Sequence, residues 1–487
     1  MAEELTPDIC IIGGGPGGLA AAAAAAEAGA SVVLVERGRL GGNNLTRGSV
    51  PSKALLASAD VYAALRRAPE LGVNGAPLQV DLPRVREHMA TASDAIGLNY
   101  TPERLAAFGV TAISGIARFA SPDLVAVETT AVRAGHFIIA TGAAPAVPEI
   151  AGLDGAEALT FADAFDLTRR PSHLIVLGAG AYALEIAQAY ARLGMDATVI
   201  SETAALPECD PELATIVVDR LRAEGIGLRA GAKVTQVARR RSGLRLSLID
   251  PADGEMSIDG SHLLVAGGRQ PDVEALGLAA AGIAAAADGI AVDGNLRTTN
   301  RRVHAIGDAI AGPPLAGRAR LEGTAVVRNI LRRVPVRSPA AHVPSVAFTD
   351  PGLVEVGLSE NEARVRHRAI RVARIPYAGN DRAAIEHDPY GVIKVVATAS
   401  GNRVLGAGIV GRHAAELIAP FALAIANRLG LEALSAFVPP YPTRSELAPR
   451  LATGDRGGAA TLGAGQRVGS LTEEWLKRII GTTGNLG

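Results

Sequence analysis

The chain has 487 residues, of which 20% are charged, and its formal net charge at pH 7 is −1. Because there is no basic surplus to neutralise phosphates, the composition argues against a nucleic-acid-binding protein. The length allows several domains, each with its own hydrophobic core.

Only two cysteines are present, Cys10 and Cys209, and they lie far apart in the sequence. They exclude a disulfide framework, and no secretory signal precedes the first predicted strand, so we expect a cytoplasmic protein. The apolar run that begins at Ile9 is interrupted by glycines and a proline and does not predict a membrane span.

A dinucleotide-binding unit is predicted between Asp8 and Glu36. A short apolar run, 9–12, has the pattern of a buried parallel strand. The G-x-G-x-x-G positions after it are Gly13, Gly15 and Gly18. The first glycine allows a tight turn, the second lets a pyrophosphate approach the backbone, and the third lets the helix pack closely. An alanine-rich helix and a second strand, 31–35, follow, and Glu36 is placed to accept hydrogen bonds from a ribose diol.

The next stretch, 41–53, reads GGNNLTRGSVPSK. It resembles the GGTCLNxGCxPSK segment of the class I pyridine nucleotide–disulfide oxidoreductases, a family that includes lipoamide dehydrogenase and mercuric reductase. The matching residues are Gly41, Gly42, Gly48, Pro51, Ser52 and Lys53. Asn44 and Ser49 stand where the family has its two redox cysteines. Since neither side chain can carry electrons, the dithiol relay of the family cannot operate here.

The resemblance implies that FAD binds the first unit and that residues 41–53 form a helix beside the flavin ring. Residues 54–135 are predicted to be a helix-rich connection, with a helix at 55–65, followed by short strands that include 125–132. Residues 136–142, HFIIATG, resemble the family's ATG segment. The resemblance places Thr141 and Gly142 against the cofactor.

The opening unit is repeated at 173–201, where Gly178, Gly180 and Ala183 hold the fingerprint positions. Two dinucleotide sites imply a donor and an acceptor cofactor, and therefore hydride transfer. Ser201 follows Gly178 by 23 positions, as Glu36 follows Gly13. Glu202 comes next, and no arginine or lysine follows before Arg220. We therefore expect NADH to be preferred over NADPH.

The resemblance assigns further residues around the cofactors. Glu185 is expected to pair with Lys53 beside the flavin N5. Ala181 stands where many members have a tyrosine gate over the nicotinamide pocket, and the neighbouring Tyr182 is expected to pack rather than to serve as a displaced gate. Residues 263–272, LLVAGGRQPD, resemble the family's ATGRxPN junction, and residues 296–299 and 303–308, the latter reading VHAIGD, resemble the return into the first domain. They contribute Gly268, Arg269 and Asp308. Asp308 matches the ribityl-binding aspartate of FAD, although an aspartate there is also typical of a helix cap.

From residue 343 onward the sequence resembles the family's dimerisation domain, which implies a homodimer. Strands are predicted at 345–348, 370–375, 391–398 and 404–410, and helices at 359–367 and 413–429. The domain ends in PPYPTRSE, where Glu446 is kept and Tyr441 replaces the family's histidine base, as in mercuric-reductase-like members. A tyrosine titrates near ~10 and is a poor base at neutral pH.

Beyond Leu451 the sequence is glycine-rich and then reads SLTEEWLKRII from Ser470. The first part is typical of a flexible linker. Ser470 and Glu473 form a capping box, and Leu471, Trp475 and Ile479 share one helical face. A short helix that docks on its own dimer is favoured over a peripheral membrane anchor.

The predicted architecture is α/β, with two Rossmann-like dinucleotide-binding domains for FAD and NAD(P) and a C-terminal α+β dimerisation domain. The predicted segments are 1–149 and 271–342 for the FAD domain, 150–270 for the NAD(P) domain, 343–452 for the dimerisation domain and 453–487 for the linker and terminal helix. No metal site is expected.

The leading hypothesis is an FAD-dependent NAD(P)H oxidoreductase that passes electrons directly from reduced flavin to a small acceptor such as a quinone. In this hypothesis NADH reduces the flavin from the side of Ala181 and Glu185, Lys53 stabilises negative charge on the reduced ring, and Asn44 and Ser49 line the opposite face. Two alternatives stay open: a dihydrolipoyl dehydrogenase-like disulfide oxidoreductase, and a flavin-binding scaffold or sensor without turnover.

Overall fold

The computed structural model describes residues 3–75, 79–161, 163–167, 170–336 and 343–454. The predicted C-terminal linker and helix therefore lie outside the described residues, apart from 453 and 454. The chain divides into two compact units. The first comprises Met1–Glu208 and Arg220–Thr349, and the second Cys209–Asp219 and Asp350–Gly487. No helix in the described ranges is both long and apolar enough to cross a bilayer.

The helices and strands are numbered in chain order. The helices are α1 Pro16–Glu27, α2 Gly42–Thr46, α3 Ser49–Arg67, α4 Leu82–Gly97, α5 Pro102–Ala107, α6 Ala181–Arg192, α7 Pro211–Ala223, α8 Ala316–Arg332, α9 Glu360–Arg366, α10 Asp381–Ile385, α11 Ala414–Leu417, α12 Ala419–Ala426 and α13 Leu447–Thr453. The strands are β1 Glu3–Leu5, β2 Ile9–Ile12, β3 Val32–Glu36, β4 Val110–Ser114, β5 Ala117–Ser121, β6 Leu124–Val127, β7 Thr130–Arg133, β8 His136–Ile139, β9 Ala143–Pro145, β10 Leu159–Thr160, β11 His173–Leu177, β12 Asp196–Ser201, β13 Gly227–Ala230, β14 Lys233–Arg240, β15 Gly243–Asp250, β16 Gly254–Gly260, β17 His262–Val265, β18 Arg269–Pro271, β19 Ala285–Ala286, β20 Gly289–Ile290, β21 Val303–Ala305, β22 Ser345–Ala347, β23 Gly352–Gly357, β24 Ile370–Pro376, β25 Gly391–Thr398 and β26 Val404–Gly411.

Two five-stranded parallel sheets organise the first unit. One has the strand order β21-β8-β2-β3-β4 and the other β10-β17-β11-β12-β13. In each, the strand before the glycine fingerprint is central; β2 is fully buried and β11 is buried from Leu174 onward, as expected for a parallel sheet covered on both faces. The carboxyl ends of the central strands therefore lead directly into the two predicted nucleotide sites.

Several predicted elements of the first unit differ from the observed ones. The strand predicted at 125–132 is a hairpin of β6 and β7, because Glu128 has φ +49° and turns the chain. An antiparallel sheet of β14, β15 and β16 was not predicted. The buried leucines that alternate along β15, at 244, 246 and 248, are the sequence signal for it.

In the second unit, β23, β26, β25 and β24 are antiparallel neighbours in that order. Strand β23 was not predicted. The helix predicted at 413–429 is interrupted, because Pro420 lies in the first turn of α12 and cannot continue α11. Lys394, which is buried on β25, binds Asp210, Glu212 and Glu360 at 2.6–2.9 Å. These ion pairs attach the start of α7 to the sheet of this unit.

Candidate active site

The first glycine fingerprint forms a tight turn between β2 and α1. Gly13 has φ +108°, and a Cβ there would lie 2.3 Å from the carbonyl oxygen of Ala140. Gly15 caps α1 without a side-chain hydrogen bond, and a Cβ added to it would meet no protein atom. The N-terminus of α1 is therefore open to an anion such as a diphosphate. A Cβ on Gly18 would lie 1.8 Å from the carbonyl oxygen of Gly13, so the helix packs on this turn only with glycine there.

Glu36 closes this nucleotide site at the end of β3. The backbone N–H of Gly14 donates to Glu36 Oε2 at 2.5 Å, and that of Gly38 donates to Oε1 at 2.7 Å. These bonds fix the carboxylate, and each oxygen keeps a second lone pair that can accept from a ribose hydroxyl.

An open cleft lies at the carboxyl edge of the first parallel sheet. The predicted site residues on its wall are Gly15, Glu36, Gly42, Asn44, Ser49, Thr141, Gly142, Arg269 and Asp308. The hydroxyl of Thr141 is buried and has no hydrogen-bond partner among the described residues. A buried hydroxyl of this kind suits a polar atom of a bound ligand.

The segment at 41–53 forms two helices, α2 and α3, separated at Arg47 and Gly48, where the resemblance implied one. A Cβ on Gly42 would lie 2.9 Å from the Cα of Gly15, so this segment packs against the fingerprint turn. Asn43 donates to the carbonyl of Ala143 at 3.0 Å. This contact holds α2 on the cleft and was not predicted.

Lys53 and Glu185 meet one turn along α3 from Ser49 of the cleft wall, and neither of them lines the cleft itself. Lys53 Nζ lies 2.6 Å from Glu185 Oε2, and the Glu185 side chain is only 3% exposed. Two further contacts involve Phe348, which the sequence did not indicate. Its backbone N–H donates to Glu185 Oε1 at 2.8 Å, and its ring centre lies 4.3 Å from Lys53 Nζ. The ammonium is thus held between a carboxylate and an aromatic face.

Arg269 and Asp308 form a second charged pair on the cleft wall. Arg269 Nη1 lies 3.4 Å from Asp308 Oδ2, and the guanidinium stacks 4.7 Å from the ring centre of Phe161. Burial raises the pKa of Asp308, while Arg269 opposes that rise. Gly268, which precedes Arg269, has φ +146°.

The second fingerprint repeats the first. Gly178 has φ +110°, a Cβ there would lie 2.5 Å from the carbonyl oxygen of Ala266, and Gly180 caps α6 without a side-chain bond. Ala183 is buried in the first turns of α6. Ser201 ends β12 with its hydroxyl 3.1 Å from that of Thr203, and Glu202 is exposed beside it.

Tyr182 is half-buried and packs against two aromatic rings of the first unit. Its O–H donates to the carbonyl of Phe161 at 3.3 Å, and its ring makes edge contacts with Phe161 and Phe165. Burial raises the pKa of Tyr182. Neighbouring Ala181, the first residue of α6, carries only a methyl group.

Tyr441 and Glu446 belong to the second unit. Tyr441 is 72% exposed and donates its O–H to Asp381 at 3.1 Å, and this bond raises the pKa of Tyr441. The carboxylate of Glu446 accepts from the backbone N–H of Thr443 at 3.1 Å in a capping box. The interactions that the structure gives Glu446 are those of a helix cap.

The residues of the first unit fit a flavin dinucleotide. Gly15 and the uncapped N-terminus of α1 offer a diphosphate site, Glu36 a ribose acceptor, and Thr141 an unpartnered hydroxyl, all on one cleft. Cys10 lies in the core of β2, and burial raises the pKa of its thiol to about 12. Within the described residues no cluster of His, Cys, Asp or Glu side chains could hold a metal ion.

Two fingerprint turns and a cleft beside the first of them define an oxidoreductase with two dinucleotide sites. Residues 7–323 match the pyridine nucleotide-disulphide oxidoreductases, and residues 343–452 match the dimerisation domain of the same family. The chain belongs to this family. The dimerisation domain supports a homodimer.

Characterised relatives span nearly the same length. A mercuric reductase of Streptomyces lividans is 34% identical over 90% of this chain and 94% of its own. A protein named dihydrolipoyl dehydrogenase 3 of Pseudomonas aeruginosa is 32% identical over 90% of this chain and 96% of its own. The crystal structure of LpdA from Mycobacterium tuberculosis matches with a TM-score of 0.83 and 28% identity, covering 92% of this chain and 99% of that one.

Proposed function

We propose that the chain is an FAD-dependent NAD(P)H oxidoreductase that passes electrons from reduced flavin directly to a small acceptor such as a quinone. One NADH, one quinone and one proton would give NAD⁺ and a quinol. When bound, FAD would supply the two-electron carrier between donor and acceptor. The observation that carries the proposal is the pair Asn44 and Ser49 on the cleft wall, where the family has its redox thiols.

The residues retained around the cleft support catalysis. Lys53 is a fixed cation, since Glu185 holds its ammonium at 2.6 Å and Glu185 is itself held by a backbone N–H. A preorganised cation stabilises negative charge that develops nearby. The hydroxyl of Ser49 and the amide of Asn44 are hydrogen-bond donors, and a quinone carbonyl is an acceptor that matches them.

The thiols of the chain do not suit a dithiol relay. Cys10 is buried in a central strand, with a pKa near 12, and its thiolate is absent at neutral pH. Cys209 belongs to the other compact unit, where its thiol donates toward Glu355. Tyr441 offers no neutral-pH base, because its hydrogen bond to Asp381 raises the pKa of the phenol.

For the nicotinamide nucleotide we propose a preference for NADH. The side chains at the end of β12 are a serine hydroxyl and the exposed Glu202, and a carboxylate there repels a 2′-phosphate. Comparing kcat/KM for the two nucleotides tests this, and a clear preference for NADPH would contradict it.

The experiment for the main proposal compares acceptors on the FAD-loaded protein with NADH as donor. A benzoquinone is expected to sustain turnover, and the disulfide lipoamide, glutathione disulfide and Hg²⁺ are expected to show none. Alkylation with iodoacetamide after reduction by NADH is the control, because it inactivates enzymes that use a dithiol. Here it should leave quinone reduction unchanged, and inactivation would contradict the proposal.

A second candidate is a mercuric reductase-like or dihydrolipoyl dehydrogenase-like activity. Relatives with these names are 31–34% identical over about nine-tenths of the chain. Oxidation of dihydrolipoamide, or NADH-dependent reduction of Hg²⁺, above background would favour it. A flavin-bound protein without turnover on any acceptor of the panel would instead be the scaffold or sensor.

A further inference from the structure

Two ion pairs connect α3 to α6, and they share one spacing. Lys53 binds Glu185 at 2.6 Å, and Arg192 Nη1 donates to Asp60 Oδ1 at 2.9 Å. In both pairs the partners are 132 positions apart, and the second pair follows the first by seven residues in each helix. The two helices therefore run parallel in one constant register, with a heptad between the pairs.

The charges of the two pairs are reversed. Helix α3 carries a base and then an acid, Lys53 and Asp60, while α6 carries an acid and then a base, Glu185 and Arg192. A slide of one heptad would place Lys53 opposite Arg192, or Asp60 opposite Glu185. Since both alternatives bring like charges together, the pattern selects the observed register.

The Arg192 side chain is also held by Glu224, in addition to its bond to Asp60 on α3. Its side chain is only 7% exposed, and its Nε and Nη2 donate to both oxygens of Glu224 at 2.9 and 2.7 Å. Gln188 also donates to Glu224, at 3.1 Å. The guanidinium is therefore anchored on the side of the second nucleotide-binding region, and Nη1 extends to Asp60.

The two helices begin at different functional places. Ser49, the first residue of α3, lies on the wall of the flavin cleft, and α6 begins directly after Gly180 of the second fingerprint. The register of α6 on α3 therefore sets where the nicotinamide site lies relative to the cleft. A misplacement of about 1 Å between reacting groups can lower a rate by up to about 10²-fold.

We propose that Asp60 and Arg192 are positioning residues for hydride transfer. They hold α6 in register on α3, about 10 Å along the helices from the Lys53–Glu185 pair. The inference rests on the proposed transfer from nicotinamide to flavin. Neither residue lines the cleft; they act through the relative position of the two helices that do carry site residues.

The test uses the Asp60→Asn variant of the FAD-loaded protein. The Asp60 side chain is 59% exposed and Arg192 keeps Glu224, so the variant is expected to fold. In anaerobic stopped-flow mixing with NADH, the limiting rate of flavin bleaching should fall about three- to tenfold. FAD content and the apparent Kd for NADH should stay within about twofold of the wild type, and Asp60→Glu should restore the rate.

The matched control is Asp259→Asn. Asp259 is 61% exposed and binds Arg245 through both oxygens at 2.6 Å, in the antiparallel sheet of β15 and β16. It is the same chemical change at a comparably exposed aspartate outside the two helices. The control should keep the wild-type bleaching rate.

Hydrogen exchange supplies a readout that does not depend on turnover. Without NADH, Asp60→Asn should speed amide exchange in α3 and α6 while leaving β15 and β16 unchanged, and Asp259→Asn should not alter the two helices. Wild-type rate and exchange in Asp60→Asn would overturn the inference, as would a slower rate that came with loss of FAD. If NADH does not bleach the flavin of the wild type, the proposed function fails, and with it the role in hydride transfer. The amide exchange data then still show whether Asp60 and Arg192 hold α6 in register on α3.

Discussion

The two dinucleotide-binding regions of the chain share a backbone and differ in their side chains. Gly13 and Gly178 have φ +108° and +110°, and each donates its N–H at 2.8 Å to the neighbouring parallel strand. A Cβ at the first glycine would lie 2.3 Å from the carbonyl oxygen of Ala140 in the first region and 2.5 Å from that of Ala266 in the second. The same turn is therefore built twice, from sequences that share little besides glycine and alanine.

The difference lies in what each region does with polar groups. The first ends β3 with a fixed carboxylate, Glu36, and its helix α1 buries only small and apolar residues. The second ends β12 with Ser201, and its helix α6 buries Glu185, Gln188 and Arg192. The first region is thus suited to hold a cofactor, and the second to place its own helix against Lys53.

The largest expected effect comes from alanine at the two equivalent glycines. Gly13→Ala should purify without flavin, because the added Cβ would collide with the carbonyl of Ala140 and displace the turn. Gly178→Ala should keep FAD that dithionite bleaches but NADH does not. Visible spectra of the two purified variants are the measurement. A Gly178→Ala protein that NADH reduces at the wild-type rate would show that the second region is no nucleotide site.

The next effect concerns Lys53, the cation that Glu185 of the second region holds in place. Lys53→Met should lower the limiting rate of flavin reduction by NADH about 100-fold, because it removes the charge that stabilises the reduced ring. Stopped-flow bleaching measures it. Lys233→Met, at a lysine exposed on β14, is the matched control and should leave the rate unchanged. A Lys53→Met rate within twofold of the wild type would contradict this role.

A third effect concerns the pH dependence of stability, which depends on how each region holds a histidine. In the second, both ring nitrogens of His173 have partners at 2.9 Å. In the first, His304 is buried, and this burial, with His136 and Arg297 nearby, lowers the pKa of His304 to about 4.

Since an unfolded histidine titrates near 6.5, the folded state should lose stability as the pH falls from about 6.5 to 4. The loss from this group at pH 5 is about 2 kcal/mol. Denaturant unfolding at pH 7 and pH 5 measures it. His304→Leu should reduce the difference between the two pH values by about that amount, and an unchanged difference would contradict the assignment.

The smallest effect concerns the end of β12. Ser201→Arg should raise the ratio of NADPH to NADH turnover about tenfold, because a guanidinium can pair with the 2′-phosphate. Ser201→Ala is the control and should leave the ratio unchanged. Steady-state kcat/KM for both nucleotides gives the result, and an unchanged ratio in Ser201→Arg would mean that another residue selects the nucleotide.

The fingerprint strands were predictable within a residue or so, because buried parallel strands that end in glycine leave a strong local pattern. The α/β architecture and the match to the dimerisation domain also followed from the sequence. The sheet at 233–260 was predictable in part, because buried leucines alternate along β15. The break in the helix predicted at 413–429 was also predictable, because Pro420 cannot lie in a helix interior without interrupting it.

The contacts of the site could not be predicted in the same way. Lys53 and Glu185 are 132 positions apart, and only the family resemblance suggested that they pair. No local pattern indicated that Phe348 would cover Lys53, that Asn43 would bond Ala143, or that Asp60 would meet Arg192. Such contacts depend on how distant helices and strands pack, which the periodicity of one segment does not encode.

The most direct test of the account is an anaerobic titration of the FAD-loaded protein with NADH while the visible spectrum is followed. With no dithiol beside the flavin, one equivalent of NADH should bleach it completely, without a long-wavelength thiolate–flavin band. A stable band after two electrons, or uptake of a second equivalent before bleaching is complete, would contradict the central claim that the flavin is the only two-electron store in this chain.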